Sequence, residues 1–555
     1  MVKKKINQIL SLLNENKLNE AESLTTNLLN KNKENIDIEN ILAIVFAAKK
    51  KYPQAIKILE GILEKNPFFK DALINLGNIY RDLRDYSNAK IFYKKFLELD
   101  KNNIFVLFEL AKTFDLNDQY YEAEKIYKKL LIYNPHNNNI LYESGKNKIF
   151  LEKLNEAKKI INNINDDESF KIEKLILKSL IFAKETKYDL AKKNLELAKS
   201  IDPNNAKPYF YLANIYAAEH QHTLAIETLK KSLTLEDSPQ SRYNLSIFYL
   251  CNNNFEKGWE FYKYRGSYYF FLNLINKKPI WDGKNFDGTL IVHGEQGIGD
   301  EILFSSMFNE LLKIQKKIIV ICESRLIKLL ERSFKNIQFI SKKSILPTFL
   351  NSKHIAAGDL GQFFRKKNSD FKIEKWIIPK SDLVNKYSEY FKSTGKINVG
   401  VAWTSFTSTS NLTVTHKNRQ VSLDQIASCL PKDKFQLINL QYGIINQEIK
   451  KLEDNMQREI VFFNSVNYKN DIEDLAAIIM NCDLVVSIAS FSASFSGALG
   501  KKTIAMVPVN YNWAWANNEN NYSIWFPKIK ILIQEKPDNW EKVLLKLKEE
   551  INILF

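Results

Sequence analysis

Alanine recurs at Ala21, Ala55, Ala89, Ala123, Ala157, Ala191 and Ala225, always 34 residues apart, and a second series of small residues, Ala43, Gly77, Ala111, Gly145, Ser179 and Ala213, keeps the same interval. A repeat of this length restricts the first half of the chain to a stacked array of like units, each contacting its neighbours. Each alanine of the first series lies in an amphipathic stretch such as YPQAIKILEGIL or YSNAKIFYKKFL, and helix-length segments alternate between the two series. Pro67, Pro135 and Pro203 mark equivalent junctions, where one helix stops and another begins. Two helices in an antiparallel hairpin approach closely only where side chains are small, so the alanines and glycines mark crossing points. Tyr80, Phe114, Phe182 and Tyr216 then fill the space between neighbouring hairpins.

The segments LINLGNIYRDLRDYSNAKIFYKKFLELD and PYFYLANIYAAEHQHTLAIETLKKSL fit the pattern L-G-x-x-Y…A-x-x-x-F…P and resemble the tetratricopeptide family, with about seven and a half repeats over residues 3–265. The resemblance implies an α solenoid whose concave groove holds an extended peptide or a protein partner; a spacer or dimerisation arm is the alternative. A continuous asparagine ladder is not expected, because the positions equivalent to Asn75 read Ile41, Asn75, Glu109, Glu143, Leu177, Tyr211 and Asn244.

Composition narrows the class. With 555 residues, 45% hydrophobic and 26% charged, the chain is too long and too apolar for a disordered protein or a single small module. The net charge of +16 is spread over both halves without a concentrated basic footprint, which argues against nucleic acid as a partner. Cys251, Cys322, Cys429 and Cys482 form neither a CxxC pair nor a metal-ligand spacing, so a cytoplasmic location, including a peripheral place at the inner membrane, is expected, with no metal. The N-terminal MVKKKINQILSLL reads as an amphipathic helix, and no stretch is apolar enough to span a bilayer.

After Arg265 the period is lost. Short apolar runs, TLIVHGE, KKIIVICE, NIQFI, INVGVAW, FQLINLQ, LVVSI, KTIAMV and IKILI, alternate with helical stretches, which implies parallel α/β sheets in two sets, roughly 285–380 and 396–535, bridged by SDLVNKYSEYFKSTGK. Two doubly wound halves facing each other place a ligand cleft at the carboxyl ends of their strands. In LIVHGEQGIGDEILFSS a strand runs into a turn holding Gly294, Gly297 and Gly299, and Asp300 opens a helix; glycines permit close backbone approach, and a helix start favours an anion. An N-cap role is the plainer reading of Asp300.

Taken in order, NFEKGWEFYKYRG, PIWDG, GEQGIGDEILFSS, VGVAWTS…HKNRQVSL, LINLQYG, DIEDLAAIIMNCDLVVSIASFSASFSGALGKKTIAMVP and SIWFP resemble bacterial tetratricopeptide-repeat glycosyltransferases with a heptosyltransferase-like catalytic half. That resemblance implies a GT-B fold of two Rossmann-like domains: the repeat solenoid at 1–266, an acceptor-side half at 267–392 and a nucleotide-sugar half at 393–535; DNWEKVLLKLKEEI reads as a terminal amphipathic helix, at 536–555, expected to pack back across the two halves. It implies an inverting transferase acting on a nucleotide-sugar donor and a protein or glycan acceptor, without cofactor or metal. Asp300 is then the candidate base, and Lys417 and Arg419 match the basic position that meets the leaving diphosphate, with a solvated loop as their plainer reading. His416 is a possible assistant.

After the strand LVVSI this chain departs from the family, which has an acid or amide there and a histidine five residues later; Ala489 and Ser494 stand in those places. Ser490, Ser492, Ser494 and Gly497 remain able to offer hydroxyls and N–H groups to a phosphate, or else pack helix on sheet. Gln441 and Tyr442, at a strand's carboxyl end, are placed by topology for donor contact, and Gly297 and Gly299 for cleft backbone. Trp403, Trp513, Trp515 and Trp525 offer rings for stacking or for the core. The alternative to an enzyme is a repeat scaffold with a degenerate transferase-like half, which the residues at 489 and 494 favour.

Overall fold

The structure, a computed structural model, describes residues 2–165, 170–275, 278–344, 351–372, 374–393, 395–405, 420–443, 445–509, 511–537 and 539–555. Among these, sixteen helices lie between Val2 and Tyr262, paired as hairpins such as Lys70–Asp82 with Tyr86–Leu99. All seven period-setting alanines have no solvent exposure. A Cβ on Gly77 would lie 2.5 Å from the Tyr93 ring, the close approach that the small-residue series requires.

A third periodic series was not legible as such. Asn16, Lys50, Arg84, Asp118, Glu152, Thr186, His220 and Asn253 all take left-handed backbone, with φ between 56° and 60°. Each follows the first helix of a hairpin, and the residue after it closes a Schellman-type bond, as in Asp85 N–H to the Tyr80 carbonyl at 2.8 Å and Gln119 N–H to that of Phe114 at 2.9 Å. The conformation costs a non-glycine residue roughly 1–2 kcal/mol, so the turn is held by what the hairpin buries and not by local preference.

The chain forms two compact units, residues 1–181 and 182–555, dividing inside the repeat array. The second unit contains the last repeats and both sheets. Its first sheet comprises β1 (Thr289–His293), β2 (Ile318–Cys322), β3 (Gln338–Ser341) and β4 (Ser352–Ala356). The second comprises β5 (Ile397–Ala402), β6 (Phe435–Asn439), β7 (Ile460–Val461), β8 (Leu484–Ile488), β9 (Thr503–Val507) and β10 (Ile529–Ile533). The strand orders are β3-β2-β1-β4 and β10-β9-β8-β5-β6-β7, and the pairings within these strands are parallel. Counted from its own first strand, the larger sheet runs 6-5-4-1-2-3, a doubly wound order whose direction reverses between β5 and β8; the smaller repeats the start of it and reverses between β1 and β4. Strands β2, β8 and β9 are buried along their whole length, which is why they read as unbroken apolar runs. β4, SKHIA, and the two-residue β7 escaped the sequence reading because neither carries such a run.

Among the helices of this unit are α1 (Ile298–Ser305), α2 (Ser381–Ser393), α3 (Phe491–Ala498) and α4 (Glu541–Leu554). α2 links the two sheets along the chain, and its Tyr387 hydroxyl donates to Asp474, on a helix of the second half, at 2.6 Å. The expectation that the last helix lies across both halves needs correction. Val543, Leu547 and Ile551 of α4 share a core cluster with Val399, Leu437 and Leu532 of the second sheet, so the described contacts of its buried face are with that sheet. The tryptophans go to the core: Trp403, Trp513, Trp515 and Trp525 are all buried. Another cluster joins Leu250, Phe255, Trp259 and Tyr262 of the last repeat to Leu290, Phe304, Trp513 and Trp525, and the Trp259 indole donates to the Arg365 carbonyl at 2.7 Å.

Candidate functional site

The loop after β1 is built from both of its ends. Gly294 donates its N–H to the Ile321 carbonyl at 2.7 Å, and a Cβ at 294 would lie 2.7 Å from that same oxygen, so the close approach requires glycine. Gln296 is left-handed, with φ 59°, and its side-chain amide donates to the Tyr262 hydroxyl at 3.1 Å. Gly297 caps α1, which begins at Ile298. Asp300 is therefore the third helical residue and not the opening one, and its Oδ2 accepts from the Gly297 N–H at 3.0 Å. This carboxyl is partly exposed at its surface yet ringed by protein; desolvation, with the nearby Glu295 and Glu301 charges adding to it, pushes its pKa up to about 6. Neither Gly297 nor Gly299 has a protein atom within 3.4 Å of where a Cβ would sit, and around 299 the space is open to 4 Å. Neither has the positive φ that would demand glycine.

Behind the loop lies a buried ionic cluster. Arg265, 1% exposed, binds Glu295 with two nitrogens, at 2.6 and 2.8 Å, and Asp359 with another at 2.7 Å. Glu295 also accepts from the Gly358 N–H at 2.8 Å, and the Arg265 guanidinium lies 4.3 Å from the Tyr262 ring centroid. Burial alone would discourage the Arg265 charge, but the two carboxylates hold it firmly protonated. Arg265 comes from the end of the repeats, Glu295 from the loop and Asp359 from the turn after β4, so three segments distant in sequence are locked at the carboxyl end of the first sheet.

A cleft of about 90 Å³ opens between the carboxyl ends of the two sheets, lined by Ile298, Arg325, Tyr442, Tyr468, Lys469 and Phe491. Ile298 begins α1 and Arg325 follows β2; Tyr442 follows β6, and Phe491 begins α3 after β8. The Arg325 guanidinium donates across the cleft to the Lys469 carbonyl. Arg332, in the last turn of the helix after β2, donates to Glu473, on the helix after β7, at 2.5 Å. Among the described residues no cluster of His, Cys, Asp or Glu is arranged to hold a metal.

The residues singled out from the sequence fall into different places. Lys417, Arg419 and His416 lie outside the described residues. Tyr442 lines the cleft, but Gln441 is buried behind it: its Oε1 accepts from the Trp403 and Thr404 N–H groups at 3.1 Å each, bracing the chain as it leaves β5. The Ser490 hydroxyl pairs with that of Ser487 at 3.0 Å, Ser492 donates to the Leu440 carbonyl at 3.0 Å, and Ser494 is half-buried in the first turn of α3. Gly497 is fully packed, its place for a Cβ 2.7 Å from Ile529 and 2.8 Å from Phe526. It is a helix–sheet contact and not a place for a donor to touch. Arg325, Lys469, Arg265 and Glu295 were not singled out; the only local sign was a cation immediately after a buried strand, in ICESR.

Residues 71–103 match the tetratricopeptide repeat family. The N-terminal part is a tetratricopeptide-repeat array. The Caulobacter vibrioides protein FlbA is 23% identical over 336 residues, covering 56% of this chain and 54% of FlbA, so the chain spans about half the length of that curated relative. Among solved structures, a tetratricopeptide repeat protein from Parabacteroides merdae is 21% identical, covers 41% of this chain and 91% of its own, and has a TM-score of 0.34. Pseudomonas aeruginosa PilF is 15% identical, with 36% and 92% coverage and a TM-score of 0.31.

Proposed function

We propose that residues 267–535 form a GT-B glycosyltransferase that moves a sugar from a nucleotide-sugar donor to a protein or glycan acceptor recruited by the repeats. The observation that carries this reading is the cleft itself. Residues that follow the strands of two separate parallel sheets meet at their carboxyl ends, and Asp300 stands in the first turn of a helix whose opening residue is part of the wall. A carboxylate with a pKa near 6 is ionised at neutral pH yet basic enough to take a proton in the transition state. In the proposed step Asp300 accepts the proton of an acceptor hydroxyl; that oxygen forms a bond to the anomeric carbon as the bond to the diphosphate oxygen breaks, with inversion, and the diphosphate departs as an anion. Open space over Gly299, beside Gly297, supports close approach of a ligand to backbone.

A second reading has its own observation. Ala489 and Ser494 stand where the resembled family carries an acid or amide and a histidine, and Gly497 is committed to packing, which favours a repeat scaffold that binds nucleotide without turnover. Incubating the full chain with a panel of nucleotide-sugars and measuring nucleoside diphosphate release separates the two. Release that is lost in Asp300→Asn supports the transferase, release that survives it removes Asp300 as base, and binding without release supports the scaffold.

A further inference from the structure

A cation that follows a strand of the first sheet, Arg325, reaches the cleft. We propose that Arg325 and Lys469 form its anion subsite, taking the diphosphate of a nucleotide, with Tyr442 and Phe491 as the wall against which the nucleoside lies. The proposal rests on the nucleotide-sugar reading of the cleft and goes beyond it by assigning the residues that hold the donor's charge.

Among the described residues, those that line the cleft include the cations Arg325 and Lys469. Among the described residues Arg325 pairs with Glu323, which lies 3.5 Å from its Nε; both side chains are partly exposed, so water screens the pair and leaves Arg325 available to a stronger anion. Arg325 presents a planar fork suited to phosphate oxygens, and at present it spends one N–H on a neutral carbonyl, that of Lys469. Exchanging that acceptor for a phosphate oxygen gains a charge-assisted bond. Tyr442 and Phe491 are half-buried, whereas Tyr468 is buried and accepts from the Phe463 N–H at 3.0 Å, so the first two supply the accessible rings. At about 90 Å³ the cleft is smaller than the several hundred cubic ångströms usual for sites that enclose a whole ligand of this size. It suits phosphate groups, with the remainder of the nucleotide lying along the aromatic wall and the Arg325 bridge released on entry.

The test is calorimetric titration of the full chain with inorganic pyrophosphate and with UDP, ADP and GDP. Arg325→Gln keeps a side-chain N–H for the Lys469 carbonyl but removes the charge, and Lys469→Gln leaves that carbonyl in place. Each is expected to weaken pyrophosphate and the preferred nucleoside diphosphate at least tenfold, with a shallower salt dependence than wild type. Tyr442→Ala is expected to weaken the nucleoside diphosphate and leave pyrophosphate unchanged. If wild type binds a nucleoside diphosphate and both glutamine variants, folded by circular dichroism, bind it equally well, the subsite is wrong and the donor reading stands. If wild type binds none of the probes, both are wrong.

Discussion

Arg265 and Glu295, thirty positions apart, share two hydrogen bonds of 2.6 and 2.8 Å in a place that is closed to water. Truncating Arg265 to alanine strands two buried carboxylates, Glu295 and Asp359, and is expected to cost about 3–5 kcal/mol. Urea denaturation followed by circular dichroism measures it. A loss well under 1 kcal/mol would show that the carboxylates find other partners. Arg265→Lys keeps the charge but not the fork, and should fall between.

As the proposed base, Asp300 would set a pH profile. Its pKa of about 6 lies above the ordinary aspartate value, so the unprotonated base accumulates as pH rises through 6. Sugar transfer should therefore climb between pH 5 and 7 and then level off, and Asp300→Asn should reduce it by a factor on the order of 10² to 10⁴ while leaving nucleotide affinity intact. A flat profile across that window would assign the base elsewhere.

Gly299 and Gly497 make a matched pair. Both are helical, but a methyl group at 299 meets open space and one at 497 meets Ile529 and Phe526. Gly299→Ala is expected to raise stability by up to about 1 kcal/mol, the usual gain for replacing a helical glycine, and to weaken nucleoside diphosphate binding. Gly497→Ala is expected to lower stability by about 1–3 kcal/mol. Thermal melts with and without nucleotide read both effects at once.

The histidines under the loop give a stability signature. His293 and His354 are buried, with ring nitrogens 2.9 Å apart; burial, with the His354 and Lys278 charges adding to it at His293 and the Lys278 charge at His354, holds their pKa values down to about 3 and about 4. The unfolded chain binds protons on these groups below about pH 6.5 and the folded chain does not, so each destabilises the fold by up to about 1.4 kcal/mol per pH unit as pH falls from 6.5 towards 4. Asp300 and Asp359, both raised to about 6, act in the opposite direction below that value, because the folded state takes up their protons first. The difference between wild type and His354→Asn isolates the histidine contribution. The wild-type denaturation midpoint should fall more steeply than the variant's between pH 6.5 and 5, and parallel curves would contradict the pairing.

How much of this was legible in the residues depends on the range of the interactions involved. The helical array is a local, repeated pattern, and Ala21 through Ala225 disclosed it without any knowledge of contacts. The buried strands were readable for the same reason, since β2, β8 and β9 are apolar on both faces. The left-handed turns were hidden because Lys50, Arg84 and Glu152 carry no conformational signal, the hairpin imposing the backbone on whichever residue stands there. The cleft was legible as a place, from strand order alone, but not as a set of side chains. Arg325 and Lys469 are 144 positions apart and meet only because two sheets face each other. Gln441 and Gly497 show the converse error: both stand at the ends of elements near the cleft, yet one braces a loop and the other packs a helix.

The aromatic cluster shared by the last repeat and segments of both α/β halves bears on how the protein can be taken apart. Leu250, Phe255, Trp259 and Tyr262 lie upstream of the point where the 34-residue rhythm ends, yet their partners are Phe304, Trp513 and Trp525. A fragment cut at residue 267 would expose those partners and strip Glu295 of its arginine. A fragment that keeps these contacts begins within the solenoid, upstream of Leu250, as the compact unit 182–555 does, and the terminal repeats are as much the foundation of the cleft as the end of the arm.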